Sequence, residues 1–284
     1  MTRVVNANNL TMAVKDYIKD IKWHHPQRNP KLVILMASDN KASERYISNK
    51  VKTGEELGVD VEIIRFGIDS KTDDIDFVIE NLNIDKDVDG IILQLPTYEH
   101  INSKYLIDQI VPYKDVDGLT TKNKGLLEND DSWFRPCTPK GVIDLLRFEG
   151  VNFKGKNVVI VGRGETAGAP MSVMFRNLDA NVITCHSKTS REDLEFYIKH
   201  ADIVISCVGK SNLIPAEWFK EDSIAIGVGF SYDENGKQRL DFDVDKIAKL
   251  GKASMVSQRT NCTGKATVLE LILNTALAYD NNFK

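Results

Sequence analysis

Cysteine is scarce and never closely paired: Cys137, Cys185, Cys207 and Cys262 are the only four, and no two are nearer than 22 positions (Cys185 to Cys207, 207 − 185). That spacing excludes a C-x-x-C redox or zinc pair. Long apolar runs are absent too. No stretch approaches the ~20 residues that cross a bilayer, and the opening MTRVVNANNLTMAV lacks the apolar core of a signal peptide. A soluble, cytoplasmic protein with no membrane association is the expectation. An excess of basic charge is missing as well: 37 Lys and Arg stand against 41 Asp and Glu, a formal net charge of −4. Nucleic-acid binders carry a basic footprint, so no nucleic acid is expected as partner. Among five histidines only His24 and His25 adjoin, inside WHHPQRNP. A surface turn explains that pair better than a metal site, and neither a metal nor a disulfide is expected.

What is present is ordinary globular composition, 42% hydrophobic and 27% charged over 284 residues, a length that suggests two domains. Short apolar runs alternate with amphipathic segments along the chain. LVILMA from Leu32, VEIIRF from Val61 and GIILQL from Gly90 form a first group of strands; NVVIVG from Asn157, NVITC from Asn181, DIVISCVG from Asp202 and SIAIGVGF from Ser223 form a second. Continuous apolar runs mark parallel strands covered on both faces, and strand–helix alternation predicts an α/β fold with parallel sheets. Between the groups, Pro96 to Pro139 is loop-rich; Thr138-Pro139 then starts a helix that stops at Gly150. A last amphipathic helix is predicted over about 267–279. That helix is expected to return to the first domain, giving a discontinuous domain of 1–139 with 267–284 and a Rossmann-like domain of 140–266 with a parallel sheet.

The second group opens with a strand that runs into Gly162-Arg163-Gly164-Glu165-Thr166-Ala167-Gly168. Glycines permit a tight turn, and the free N–H groups of the helix that follows face an anion. The G-x-G-x-x-x-G spacing is one residue longer than the usual dinucleotide fingerprint, so its support comes from the strands that follow in order. At the end of the next strand, where a carboxylate would select NAD, stands Cys185-His186-Ser187-Lys188. Arg163 and Ser187 suit a 2′-phosphate, which favours NADP over NAD; Arg163 capping a surface turn is the bland alternative.

In the first group, ASERYISNKVKTGEELG from Ala42 reads as a helix on which Tyr46 and Lys50 lie at i,i+4, at the edge of an Ile47–Val51 apolar stripe. Desolvation there would lower the pKa of the lysine toward acid–base use, although a lone lysine more often snorkels to the surface. Tyr-x-x-x-Lys also occurs in short-chain dehydrogenases, but there it follows the dinucleotide loop, and here it precedes it. Gln94 interrupts an apolar strand at its carboxyl end, where it must find a structural or a ligand partner. Asp115 and Asp117, in Lys114-Asp115-Val116-Asp117-Gly118, are explained by an Asx turn, and metal binding would need more carboxylates nearby than the sequence offers.

Together ASERYISNK, DGIILQLP, KDVDGLT, PCTPKGV, GKNVVIVGRGETAGAP, TCHSKT and ADIVISCVGK resemble, in order, the bifunctional methylenetetrahydrofolate dehydrogenase/methenyltetrahydrofolate cyclohydrolase family. The resemblance implies tetrahydrofolate derivatives as substrates, a homodimer formed through the cofactor domain, and one-carbon chemistry in two steps: hydride loss to NADP, then hydrolysis to the formyl form. It implies that Lys50 is the acid/base residue, that Gln94 tunes it, that Tyr46 positions the folate ring, and that Asp117 grips the pterin. It maps NADP contacts to Gly162, Arg163, Gly164, Ser187 and Phe230, the last in place of isoleucine. Three departures stand out. Gln258–Thr267 replaces a Gly- and Pro-rich segment and keeps only Gly264 and Thr267, Gly227 replaces an aspartate, and Gly164 a serine. A divergent paralogue, with one activity lost or another small substrate, is the alternative they raise.

Overall fold

The computed structural model describes residues 2–234 and 236–281. The chain opens with β1 (Arg3–Val5) and α1 (Asn8–His24). It alternates through β2 (Lys31–Met36), α2 (Lys41–Leu57), β3 (Asp60–Arg65), α3 (Thr72–Ile84) and β4 (Gly90–Gln94), then adds α4 (Ser103–Gln109), α5 (Thr121–Leu127) and α6 (Cys137–Phe148). A second alternation follows: β5 (Asn157–Val161), α7 (Gly168–Arg176), β6 (Asn181–Cys185), α8 (Arg191–His200), β7 (Ile203–Ser206) and β8 (Ser223–Gly227). The hairpin of β9 (Phe230–Tyr232) and β10 (Gln238–Leu240), then α9 (Val244–Leu250), β11 (Ala253–Ser257) and α10 (Thr263–Asn281) complete the described chain. All seven strands read from apolar runs are present.

Two compact units result: Thr11–Cys137 with the chain from Val268, and Thr138–Thr267 with the chain up to Leu10. In the first, β2 lies between β3 and β4 in a parallel sheet, with Leu32 opposite Val61 and Gly90. Val33 and Leu35 of β2 pack with Ile75 and Ile79 of α3 and with Ile91 and Leu93 of β4. Leu32, Ile34 and Met36, which alternate with them, are equally buried. Helices on both faces therefore account for the unbroken apolar run. On the other face α2 comes close, because Gly54 has no side chain: a Cβ there would lie 2.5 Å from Val61 Cγ2 and 2.9 Å from the Val59 carbonyl oxygen. Ile272 of α10 also reaches that spot, and Thr275 lies against Gly90.

The second unit is a six-stranded sheet in the order β1-β11-β8-β7-β5-β6, parallel throughout, with the antiparallel β9–β10 ribbon beside it. Its core includes Val159, Val161, Val204, Phe219, Ala225, Phe242 and Val256. From β5 the chain winds first to β6 and then back across β5 to β7, so the strand order reverses between β5 and β7.

Three sequence-based boundaries need correction. Residues 2–10 lie with the second unit, not the first, because β1 pairs in parallel with β11 through Arg3–Met255 and Val5–Ser257. Neither short strand shows in the sequence, since three to five residues held mainly by backbone pairing leave little periodicity to read. α6 begins at Cys137, which puts Pro139 at its third residue, where a missing N–H costs nothing. α10 begins at Thr263, four residues before the expected Thr267, inside the segment read as altered loop. His24 ends α1 and His25 pairs with Asp280 at 3.0 Å, so this pair terminates a helix rather than forming a separate turn.

The first core is set by its filled volume. Ile79→Ala, at a fully buried site, is expected to cost about 2–5 kcal/mol, read as a lower midpoint in urea unfolding.

Candidate active site

The first unit's site is built on α2. Asn40 caps it by accepting from Ala42 N at 2.8 Å and Ser43 N at 3.3 Å, and Gly58 ends it in the left-handed conformation at φ 76°. Ile47, Lys50 and Gly54 share the buried face. Lys50 is thus not at the edge of the apolar surface, as the helical spacing suggests, but inside it, at 5% exposure. The close approach at Gly54 brings the preceding turn, with Lys50, toward the sheet. Its Nζ donates to Gln94 Oε1 at 2.9 Å and lies 5.0 Å from the Tyr46 ring centroid. Burial lowers the Lys50 pKa, and the charges of Asp117 and Cys137 oppose that shift in part.

Gln94 closes β4 at its carboxyl end. Its Nε2 donates to the Leu95 carbonyl at 2.7 Å, which leaves the amide oxygen aimed at Lys50. Both partners of the glutamine left open by sequence are therefore found within the protein. Asp115 and Asp117 separate into different roles. Asp115 is buried and accepts from Leu119 N at 3.1 Å, Thr120 N at 2.8 Å and Asn123 Nδ2 at 2.9 Å, so it shapes the turn into α5. Burial pushes its carboxyl upward while these donors pull the other way. Asp117 is half-buried, and its charge acts on Lys50 and Cys137. Gly118 turns the chain at φ 67°; a Cβ there would sit 2.7 Å from the Phe134 carbonyl oxygen.

Three residues of this cluster were not singled out from sequence. Cys137 is buried and donates to the Val116 carbonyl at 3.2 Å; burial first, then Asp117 and Glu270, push its thiol well above the usual range. Asn274 Nδ2 donates to the same carbonyl at 2.8 Å, and Glu270 is fully buried one turn earlier on α10. Cys137 lies in a quoted motif, PCTPKGV. A polar Glu270 and Asn274 at i,i+4 within an apolar helix were the available signal.

The second unit brings its residues to the carboxyl ends of neighbouring strands. Gly162 leaves β5 at φ 114° and donates to the Cys185 carbonyl at 2.8 Å. A Cβ on Gly168, the first residue of α7, would lie 2.2 Å from the Gly162 carbonyl oxygen, so helix and turn touch backbone to backbone. Gly164 has open space around it and no positive φ, so a serine would fit there. Arg163 and Ser187 are exposed and follow the adjacent strands β5 and β6. Thr189 pins the Ser187 turn, accepting from His186 N at 2.9 Å and donating its own N–H to His186 O at 2.8 Å. Phe230, 43% exposed, opens β9 with its ring 5.7 Å from that of Tyr232.

Two of the three departures, Gly227 and the segment 258–267, meet one another. A Cβ on Gly227 would lie 2.8 Å from Leu240 Cδ1, so Leu240 fills the space of a longer side chain. Thr263, in the altered segment, donates to the Gly227 carbonyl at 2.9 Å, and Ser257 Oγ accepts from Gly227 N at 2.9 Å. Arg259 pairs with Asp245 and lies 3.7 Å from Asp243; Ala7 N donates to Asn261 O at 2.9 Å. The replaced segment is therefore tied into the second unit at several points.

A doubly wound parallel sheet with a glycine turn feeding a helix is the architecture of nicotinamide-dinucleotide enzymes, and the other unit holds a desolvated, hydrogen-bonded lysine. Residues 5–117 match the catalytic domain and residues 136–283 the NAD(P)-binding domain of the tetrahydrofolate dehydrogenase/cyclohydrolase family. A relative from Hydrogenobaculum sp. named bifunctional protein FolD is 39% identical over 97% of this chain and 98% of its own length. The crystal structure of the bifunctional FolD enzyme from Campylobacter jejuni shares 31% identity, covers 99% of both chains and superposes with a TM-score of 0.93. The Trypanosoma brucei dehydrogenase-cyclohydrolase, solved with NADP and an inhibitor, shares 26% identity over 100% of this chain and 99% of its own, also at TM-score 0.93. This chain belongs to the tetrahydrofolate dehydrogenase/cyclohydrolase family.

The two aspartates are separable by measurement. Asp115→Ala strands buried donors and is expected to cost about 1–3 kcal/mol of stability, whereas Asp117→Ala leaves thermal stability close to the parent's; differential scanning calorimetry on both variants checks this.

Proposed function

We propose that the chain oxidises methylenetetrahydrofolate with NADP and hydrolyses the methenyl product to formyltetrahydrofolate, with Lys50 as the proton-transfer residue. The observation that carries this assignment is the buried Lys50–Gln94 hydrogen bond. An ammonium kept from water has a lowered pKa, so near neutral pH its nitrogen exchanges a proton with attacking water or with the opening ring more readily than a surface lysine does. Gln94 holds the nitrogen in one position, and Tyr46, whose ring faces the lysine, is placed to support the folate ring. Asp117 is the group assigned to the pterin, because Asp115 is already committed to its turn. Water adds to the methenyl carbon, one proton leaves, and the ring C–N bond opens to the formyl form.

The second unit fits a dinucleotide by its backbone. Gly162 and Gly168 let the turn and the first residue of α7 pack backbone to backbone, which brings the N–H groups of the helix start to the turn where a pyrophosphate would bind. Gly162 and Gly164 would hold the phosphates, Arg163 and Ser187 the 2′-phosphate, and Phe230 the nicotinamide end. The cofactor, when bound, supplies the acceptor for the hydride of the methylene bridge. The absence of an acidic residue after β6 and the presence of Arg163 support NADP over NAD. The reading includes a homodimer formed through this unit and a cytoplasmic location, both resting on the family resemblance. Nothing in the comparisons favours a paralogue with another substrate.

Lys50→Met is expected to abolish methenyl hydrolysis and leave NADP binding unchanged; Lys50→Arg should fail equally, since guanidinium does not release its proton near neutral pH. An unaltered hydrolysis rate in either variant, followed by loss of methenyl absorbance, overturns the lysine assignment. Arg163→Ala should raise the KM for NADP roughly tenfold or more, in line with one lost charge-assisted phosphate contact, and leave the KM for NAD nearly unchanged. Equal effects on both cofactors would remove Arg163 from the 2′-phosphate.

A further inference from the structure

The reversal of strand order between β5 and β7 marks the crevice where ligands of open α/β sheets bind. One wall of that crevice is the Gly162 turn. The other is the loop Cys207–Lys210 that leaves β7, and the two walls touch: Cys207 N donates to Val161 O at 2.7 Å, and a Cβ on Gly162 would lie 3.0 Å from the Cys207 carbonyl oxygen. Val208 and Lys210 of this loop are exposed, and Gly209 turns it at φ 77°. Short exposed loops of this kind do not hold one shape by apolar packing.

What holds this one is a buried carboxylate from a distant part of the sequence. Asp241, just past β10, is fully buried. Its Oδ2 accepts from Ser206 Oγ at 2.5 Å and Val208 N at 2.9 Å, and its Oδ1 accepts from Lys210 N at 2.6 Å. Its own carbonyl accepts from Ile214 N at 3.0 Å, which ties it to the chain beyond the loop. The neighbouring strand end is clamped to the same loop. Val228 N and Gly229 N donate to Ser206 O at 2.8 and 3.0 Å, and a Cβ on Gly229 would lie 2.3 Å from Gly209 N and 2.9 Å from Asp241 Oδ2. Gly229 leads directly into Phe230, whose carbonyl oxygen would lie 3.1 Å from a Cβ on Gly209. Asp241 therefore fixes the β7 loop directly and the start of β9 through it.

We propose that Asp241 is a positioning residue for dinucleotide binding: it acts by holding Ser206–Lys210 and, through Gly229, Phe230 as one wall of the dinucleotide crevice. Three donors on one carboxylate make a geometry that asparagine cannot reproduce, because its Nδ2 would face an N–H or hydroxyl donor instead of accepting from it. The proposal rests on the two-activity reading above, and that reading supplies an internal control: methenyl hydrolysis needs Lys50 in the other unit and no hydride acceptor.

The test measures, in the full-length protein, the dehydrogenase KM and kcat for NADP, the Kd for NADP by equilibrium dialysis, the rate of methenyl hydrolysis and the Tm. Asp241→Asn is expected to raise KM and Kd for NADP roughly tenfold or more, while hydrolysis stays within about twofold of the parent. Ser206→Ala, which removes one donor and strands none, is expected to shift the same two constants in the same direction by a smaller factor. It keeps the test decisive if Asp241→Asn does not fold. NADP constants within about twofold of the parent in folded variants overturn the proposal. So does a parallel fall of both activities with the Tm, which is the mark of a merely structural residue. If the parent itself performs neither reaction, the functional reading fails on its own, and the Kd comparison still decides the role of Asp241.

Discussion

The first unit is organised around one unfavourable placement, the amine of Lys50 inside the protein. Moving an ammonium out of water costs several kcal/mol, and the surroundings offset this only in part. One neutral hydrogen bond comes from Gln94, one ring face from Tyr46, and one more distant charge from Asp117. The rest of the cost appears as a lowered pKa, which is the property that proton transfer needs. Around this placement, α2 must come close enough at Gly54 to carry Lys50 inward, and β4 must end on an acceptor instead of another apolar side chain.

The second recurring device is the buried aspartate that satisfies backbone N–H groups of a loop or of a strand start. Asp115 does so for the turn into α5, Asp241 for the loop after β7, and Asp89 for Lys31 N while gripping Arg28 with both oxygens at 2.6 and 2.8 Å. Loops at strand ends expose backbone donors that no regular ladder pairs. A carboxylate accepts several of them at once and fixes the loop without apolar burial. This separates the acids in Lys114-Asp115-Val116-Asp117-Gly118: the first is consumed by its own turn, and the second faces Lys50 and Cys137.

The rebuilt C-terminal segment is an ordered exchange, not a lesion. Leu240 occupies the space that glycine at 227 leaves, Thr263 bonds that glycine's carbonyl, and Arg259 joins the segment to the start of α9. Side chains that replace a Gly- and Pro-rich stretch have found partners within their own unit, while Lys50, Gln94 and Asp117 are untouched.

Much of this was written locally. The apolar runs of β2, β4, β5 and β7 declare buried parallel strands because helices cover both faces, and the Gly162–Gly168 spacing announces its turn because only glycine tolerates that backbone approach. The i,i+4 spacing placed Tyr46 with Lys50, since helical geometry is a short-range property. β1 and β11 stayed hidden, as backbone hydrogen bonds between residues some 250 positions apart (Val5 and Ser257, 257 − 5 = 252) leave no side-chain pattern. Nor could spacing tell how deep Lys50 sits, which of Asp115 and Asp117 is spent on structure, or that Asp241 reaches back to Val208 and Lys210. Sequence alone determined the α/β class, because it follows from local periodicity, and the family, because its motifs lie in short contiguous stretches. Burial, hydrogen-bond partnership and the shape of the loops were decided only in the tertiary structure, because each depends on which distant atoms exclude water from a given side chain.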